Sequence, residues 1–86
     1  MTITPTIHMN GASASMLLND YENAYYAVDA AIESLQKVEF NAWDYYPVDG
    51  AWEKALKQRE QQFRNLHDLK VQIQDILISV SEQSTK

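Results

Sequence analysis

Apolar residues recur at helical spacing in two long stretches of the chain, on either side of a short aromatic connector. With Leu17 lettered d, the first stretch fills the a, d and e positions of a heptad pattern, and the second stretch carries a similar stripe from Trp52 to Val80. Stripes of this width are typical of helices in a bundle rather than of a narrow two-stranded seam. We therefore predict helices over about residues 12–38 and 50–81. The stripes include Ala31, Val38, Leu56 and Leu69.

Three segments lie outside the predicted helices. Residues 1–11 are mostly short or β-branched and include Pro5, which predicts an extended arm or one edge strand. Residues 39–49 form a connector short enough to make the two helices antiparallel neighbours. We expect the tail, residues 82–86, to fray.

Local signals place the helix ends. Asn10-Gly11 breaks regular structure, and either Ser13 or Asn10 is a suitable N-cap for the first helix. Pro47 and Gly50 punctuate the connector, and Asp49 is a suitable N-cap for the second helix.

The length of the chain points to self-association. Two helices in an 86-residue chain bury too little surface for comfortable stability, so such chains usually add disulfides, a metal or oligomerisation. This chain has no Cys, and His8 and His67 are its only histidines. The predicted fold class is therefore all-α: an antiparallel two-helix hairpin with an extended N-terminal arm, assembling into a homo-oligomeric helical bundle.

The net charge of −5 lies in one half of the chain. Residues 1–47 hold six acids and one base, whereas residues 48–86 hold six of each. Duplex DNA binding needs a basic face, so we predict no DNA partner, and the acidity serves either solubility or mimicry of nucleic acid. No apolar run approaches the roughly 20 residues of a membrane span, and no secretory signal is recognisable. We expect a soluble cytoplasmic protein without a membrane partner.

Two cations, Arg59 and Lys70, interrupt the apolar stripe of the second helix. A charge at such a position costs stability unless it is paired or near water. Three interpretations remain open: contact with water or an ion pair with the first helix, an inward cation that meets an anionic ligand, or specification of helix register. The candidate acids of the first helix are Asp20, Asp29 and Glu33.

The first candidate site consists of His8, Asn10 and Gly11. Gly11 lets the backbone turn tightly or approach a ligand, and His8 and Asn10 offer adaptable hydrogen bonds. The start of the first helix adds free N–H groups and the positive end of its dipole, which suit an anion. The alternative is a simple capped helix start with a surface histidine.

The connector supplies the second candidate site. Its aromatic rings offer stacking faces for a base or for side chains of a partner, and either Asp44 or Asn41 can read the polar edge of a heterocycle. Tyr45 and Tyr46 are the strongest candidates because their hydroxyls need partners. The alternative is a hydrophobic plug at the end of the bundle, for which Phe40 and Trp52 are well placed. The full cluster is Phe40, Asn41, Trp43, Asp44, Tyr45, Tyr46 and Trp52.

Basic residues follow the connector, and among them Arg59 joins the candidate ligand-binding residues because Arg beside planar rings suits phosphate and base recognition. The alternative is an ordinary solvated helix face. The two candidate sites lie at opposite ends of a helix about 39 Å long. They share one site only if subunits pack head-to-tail or if the arm folds back. The basic residues are Lys54, Lys57, Arg59 and Arg64.

Catalytic, metal and cofactor sites are not predicted. A serine nucleophile would need Ser13 or Ser15 beside His8 or His67, and no nucleophile-elbow pattern is present. The chain also has no phosphate-loop or dinucleotide fingerprint. We therefore predict that the protein is not an enzyme.

Two segments of the chain resemble a group of small uncharacterised phage and prophage two-helix proteins. The first is His8-Met9-Asn10-Gly11 before a helix, and the second is Asn41 with Asp44-Tyr45-Tyr46-Pro47 between two helices. The pattern of the group has Gly-Arg in the connector where this chain has Ala42-Trp43. The resemblance implies a phage setting rather than a particular chemistry.

Small helical phage proteins often act against host defence, and some trap nucleotide immune signals between subunits. By this analogy we expect a homo-oligomer that sequesters an anionic, nucleotide-derived ligand at subunit interfaces. Tyr45 and Tyr46 would stack on the ligand, while Arg59, Asn10 and the helix N-terminus would hold phosphate or ribose. Two alternatives are a structural or assembly protein, and an inhibitor of a host defence or regulatory protein. The inhibitor would use the acidic residues Asp20, Glu22, Asp29 and Glu33.

Overall fold

A computed structural model describes residues 2–84 as two antiparallel helices preceded by an extended arm. Helix α1 spans Ala14–Gln36 and helix α2 spans Ala51–Ser84, with one short 3-10 turn, Ala42–Asp44, between them. The predicted all-α hairpin is confirmed. The arm is not an edge strand, because residues 2–84 contain no β-strand.

The start of each helix is set by one residue. The Ser13 hydroxyl accepts a hydrogen bond from the Met16 N–H at 3.2 Å, so Ser13 rather than Asn10 is the N-cap of α1. Gly50, rather than Asp49, directly precedes α2, and its φ of 75° lies in the left-handed region that favours glycine. The Gly50 carbonyl accepts the N–H of Lys54 at 3.2 Å.

The helix bounds differ from the predicted ones at three points. Helix α1 begins two residues later and ends at Gln36, where the Lys37 N–H bonds the carbonyls of Glu33 and Ser34. Helix α2 continues to Ser84, so residues 82–84 belong to the helix. The last two residues of the predicted tail lie outside the described part of the chain.

The core is a narrow seam between the helices. Several residues of the predicted stripes are exposed, because one partner helix covers only part of an apolar face. The buried side chains are Ile32, Ala55, Ile73 and Val80, and the exposed stripe positions are Ala31, Val38, Leu56 and Leu69.

The molecule is a rod of 60 × 23 × 18 Å. Its radius of gyration is 18.4 Å, compared with about 12 Å for a compact domain of this length. Its accessible surface is 6674 Å², compared with about 5200 Å² for a compact protein of the same mass. The rod therefore exposes roughly 1500 Å² more surface than a compact monomer does.

The N-terminal arm lies along the C-terminal half of α2 and runs in the same direction. The Ser79 hydroxyl donates to Thr4 Oγ1 at 3.0 Å. The Gln83 side chain holds the arm twice, since Oε1 accepts the Ile7 N–H at 2.7 Å and Nε2 donates to the Pro5 carbonyl at 2.9 Å. A tight turn, in which the Gly11 N–H donates to the His8 carbonyl, then leads the chain towards α1. The arm folds back, but along the end of the rod that lies away from the connector.

Within residues 2–84, neither helix combines the length and the apolar character needed to cross a bilayer.

Candidate functional site

Three aromatic rings pack together where the connector meets α2. The ring centroids of Phe40 and Trp52 are 5.0 Å apart, those of Phe40 and Tyr45 are 5.6 Å apart, and those of Tyr45 and Trp52 are 5.8 Å apart. Such tilted pairs at these separations are favourable aromatic contacts. The cluster covers the end of the hairpin, which agrees with the interpretation of Phe40 and Trp52 as a hydrophobic plug. Tyr45 belongs to the same cluster.

Tyr45 and Tyr46 directly follow the 3-10 turn, and their side chains differ in exposure. Asn41 Oδ1 accepts the Trp43 N–H at 3.1 Å, so the Asn41 side chain stabilises the turn. The N–H groups of Tyr45 and Tyr46 both donate to the Ala42 carbonyl, at 3.0 and 2.9 Å. Tyr45 is half-buried, whereas Tyr46 is 67 % exposed.

Trp43 and Tyr46 form an exposed aromatic pair at the tip of the rod. Their rings meet edge to face with centroids 5.7 Å apart, and Trp43 is 77 % exposed. Asp44 is exposed in the same turn. The predicted connector site is therefore divided between an inner cluster around Tyr45 and this outer pair.

Arg59 lies against the inner cluster. Its guanidinium carbon is 4.6 Å from the centroid of the Phe40 ring and 5.2 Å from that of Phe63, both within the range of cation–π contacts. The ion pairs described within residues 2–84 are Arg64–Glu60 and Lys70–Asp29, and Arg59 belongs to neither. Arg59 is thus a half-buried cation that two rings hold in place and that has no ion-pair partner among residues 2–84.

A small cleft opens beside this guanidinium. Its volume is about 150 Å³, below the roughly 300 Å³ at which small-molecule sites begin. One chain therefore offers only part of a site for a nucleotide-sized ligand. Sequence reasoning did not include Gln58 and Gln62 among the candidate ligand-binding residues, although they lie one residue before and three residues after Arg59. The cleft is lined by Leu35, Val38, Phe40, Tyr45, Ala55, Gln58, Arg59 and Gln62.

The N-terminal candidate residues lie at the other end of the rod. His8 packs against Gly11 closely enough that a Cβ at position 11 would lie 2.8 Å from His8 Nε2. His8, Asn10 and Gly11 are all exposed. Helix α1 has 23 residues, which is about 34 Å of length. Within one chain, the structure does not bring these residues to Tyr45 or Arg59.

An ion pair with Asp29 of α1 explains why Lys70 interrupts the apolar stripe of α2. Its ammonium is 2.6 Å from Asp29 Oδ1 and 5.2 Å from the centroid of the Tyr25 ring. The hydrogen bond that Lys70 donates to Asp29 raises the pKa of Lys70 above its ordinary value of 10.5, against a smaller opposing effect of burial. The pairing also offsets the charge of Asp29 within the predicted acidic surface, on which Asp20, Glu22 and Glu33 are exposed.

A larger concavity, the interhelical groove, lies between α1 and α2 at the end away from the connector. Its volume is about 490 Å³. Tyr26 and Ile78 at the groove are 59 % and 51 % exposed. Sequence reasoning missed the groove because both residues lie one position outside the predicted stripes. Its lining is Leu18, Glu22, Tyr25, Tyr26, Gln74, Leu77, Ile78, Ser81 and Glu82.

No family model matches the chain, and neither the curated proteins nor the solved structures contain a significant match. Among the described residues, no group of three or more His, Cys, Asp or Glu side chains is placed to hold a metal ion.

Proposed function

We propose that the protein is a homo-oligomeric binding protein that sequesters a small anionic, nucleotide-derived ligand where its connector end meets a second copy. The observation that carries this proposal is the Arg59 guanidinium. It is held over Phe40 and Phe63, it lies beside Tyr45, and it takes part in neither described ion pair.

The chemistry of the cleft suits a phosphorylated heterocycle. A guanidinium binds phosphate through paired N–H donors, and the two ring contacts fix the orientation of those donors beforehand. The Tyr45 ring gives a face on which a base can stack. The amides of Gln58 and Gln62 can donate to and accept from the polar edge of that base.

A second copy would complete the site. The cleft of one chain is too small for a nucleotide, and the N-terminal residues His8, Asn10 and Gly11 are too far from it within one chain. When the connector end of one copy lies against the opposite end of another, both candidate clusters meet at one interface. The free N–H groups at the start of α1 then come from the partner copy.

The resemblance to phage proteins supports a role against host defence. A binding protein lowers the free concentration of a signalling nucleotide by mass action and needs no catalytic group. It must therefore be present at a concentration comparable to that of its ligand.

Thermal stability in the presence of a panel of cyclic and linear nucleotides tests the proposal. A ligand that binds only the folded protein stabilises it by RT ln(1 + [L]/Kd), about 2.7 kcal/mol at 100 Kd. We expect at least one nucleotide to raise the Tm. The substitution Arg59→Met keeps an apolar stem over the rings but removes the charge, and it should abolish the rise.

Arg64→Met is the matched control, because Arg64 is an exposed arginine of the same helix that pairs with Glu60. It should leave the rise intact. The absence of any rise across the panel, or an equal loss in both variants, would overturn the proposal.

A further inference from the structure

The interhelical groove and the exposed Trp43–Tyr46 pair lie at opposite ends of the rod. We infer that they are two halves of one interface: the groove of one copy receives the Trp43–Tyr46 pair of a second copy. The inference rests on the oligomer in the proposed function and names the surfaces that form it. It also assigns Trp43 and Tyr46 to assembly rather than to stacking on a ligand.

The exposed area of the rod is sufficient for such an interface. A stable protein–protein interface buries about 1200–2000 Å² in total, or roughly 600–1000 Å² on each copy. The rod exposes roughly 1500 Å² more surface than a compact monomer of its mass. Each copy therefore exposes enough surface to bury the area that a stable contact requires.

The two surfaces match in shape and chemistry. The groove volume of about 490 Å³ lies within the range of pockets that accept aromatic groups. Apolar and aromatic walls from Tyr25, Leu77 and Ile78 suit ring faces. Tryptophan and tyrosine are the side chains most often found as anchors at the centre of interfaces. Their polar tips need hydrogen-bond partners, and the groove lining offers the Glu22 carboxylate as an acceptor for the Trp43 indole N–H.

The charges favour the connector end of a second copy as the occupant. Residues 2–28 and 71–84, which lie towards the groove end, contain no Lys or Arg but include Asp20, Glu22, Asp75 and Glu82. The connector end carries acids as well, but it holds four of the six Lys and Arg side chains of the described residues. These are Lys37, Lys54, Lys57 and Arg59. Residues 37–59 also hold four acids, Glu39, Asp44, Asp49 and Glu53, so the net charge of the connector end is zero. Docking this neutral end on the acidic groove end avoids the repulsion that docking two groove ends would bring.

Directed cross-linking tests the contact, and the absence of native cysteine allows single-cysteine variants to be used. Ala42→Cys lies beside Trp43 in the 3-10 turn, and Ser81→Cys lies in the wall of the groove. A mixture of these two variants should give a 42–81 disulfide-linked dimer under mild oxidation, detected by intact mass. The control mixture pairs Ala42→Cys with Gln61→Cys, an exposed position in the middle of the rod. A 42–81 product that forms no faster than the 42–61 product would overturn the inference.

Sedimentation of two alanine variants measures self-association independently of cross-linking. Trp43→Ala should raise the dissociation constant of self-association at least tenfold, with unchanged helix content because Trp43 is exposed. Val71→Ala, an exposed aliphatic residue of α2 outside the groove, should leave it unchanged. Equal sedimentation of Trp43→Ala and the unsubstituted protein would contradict the inference.

The two proposals fail in different ways. A 42–81 cross-link without any nucleotide-dependent rise in Tm would refute the proposed ligand and retain the interface. A nucleotide-dependent rise without the 42–81 cross-link would refute this interface and retain the ligand.

Discussion

The Gln83 side chain fixes the N-terminal arm to α2 through two hydrogen bonds to the backbone of the arm. Removal of this side chain should loosen the arm by a measurable amount. In Gln83→Ala, the Ile7 N–H loses an acceptor at 2.7 Å and the Pro5 carbonyl loses a donor at 2.9 Å. Each hydrogen bond of this kind contributes about 0.5–1.5 kcal/mol net. The docked arm should therefore lose about 1–3 kcal/mol of stability relative to the detached arm.

Amide hydrogen exchange at Ile7, followed by NMR, measures this loss directly. Because a difference of about 1.4 kcal/mol is a factor of ten, the exchange rate at Ile7 should rise about 5- to 150-fold. The arm opens locally, so amides in the middle of α1 should keep their exchange rates.

Two further glutamine variants serve as controls. Gln83→Glu keeps an acceptor for the Ile7 N–H but removes the donor to the Pro5 carbonyl, so its effect should be intermediate. Gln61→Ala removes a glutamine that lies far from the arm and should not change exchange at Ile7. The reasoning is refuted if Ile7 exchanges at the rate of an unprotected amide in the unsubstituted protein, or if Gln83→Ala leaves its rate unchanged.

Three other substitutions probe the core, an ion pair and a turn. Val80 is fully buried, so Val80→Ala should lower the free energy of unfolding, measured in urea, by about 2 kcal/mol. Val71 is exposed, so Val71→Ala should lower it by less than about 0.5 kcal/mol. Equal losses in the two variants would contradict the described seam. The raised pKa of Lys70 means that its stabilising contribution is complete below pH 10.5 and is lost as pH rises through the higher folded value. The Tm difference between the unsubstituted protein and Asp29→Asn should therefore shrink above pH 10.5, and a constant difference would argue against the pair. A Cβ at position 50 would have no heavy atom within 4 Å, so any destabilisation in Gly50→Ala comes from the left-handed backbone alone. We expect Gly50→Ala to lower the free energy of unfolding in urea by about 1–2 kcal/mol. An unchanged free energy of unfolding would exclude the left-handed conformation.

Hydrophobic periodicity was sufficient to predict the two helices and their antiparallel packing. It did not predict how narrow the seam is, because a heptad pattern identifies an apolar face but not how many other helices cover that face. Ala31 and Leu56 belong to the stripes and yet are exposed. Local chemistry was more informative at the helix starts, where Ser13 was one of the two predicted caps. At α2 the backbone conformation of Gly50 decided the boundary, and sequence alone does not give that conformation.

The candidate site was only partly predictable. The Lys70–Asp29 pair was one of three open interpretations, and distance in space decided it. The position of Arg59 depends on how the Phe40 and Phe63 rings pack, which no spacing rule supplies. Self-association and the ligand remain predictions, because they concern molecules beyond a single chain.

The contact between Ile7 and Gln83 has a consequence for how the protein is made. The two residues are 76 positions apart. At about 5–20 residues per second, a ribosome delivers Gln83 roughly 4–15 s after Ile7. The segment synthesised early therefore waits for one of the last residues made, and until then the Ile7 N–H and the Pro5 carbonyl lack their partner on α2.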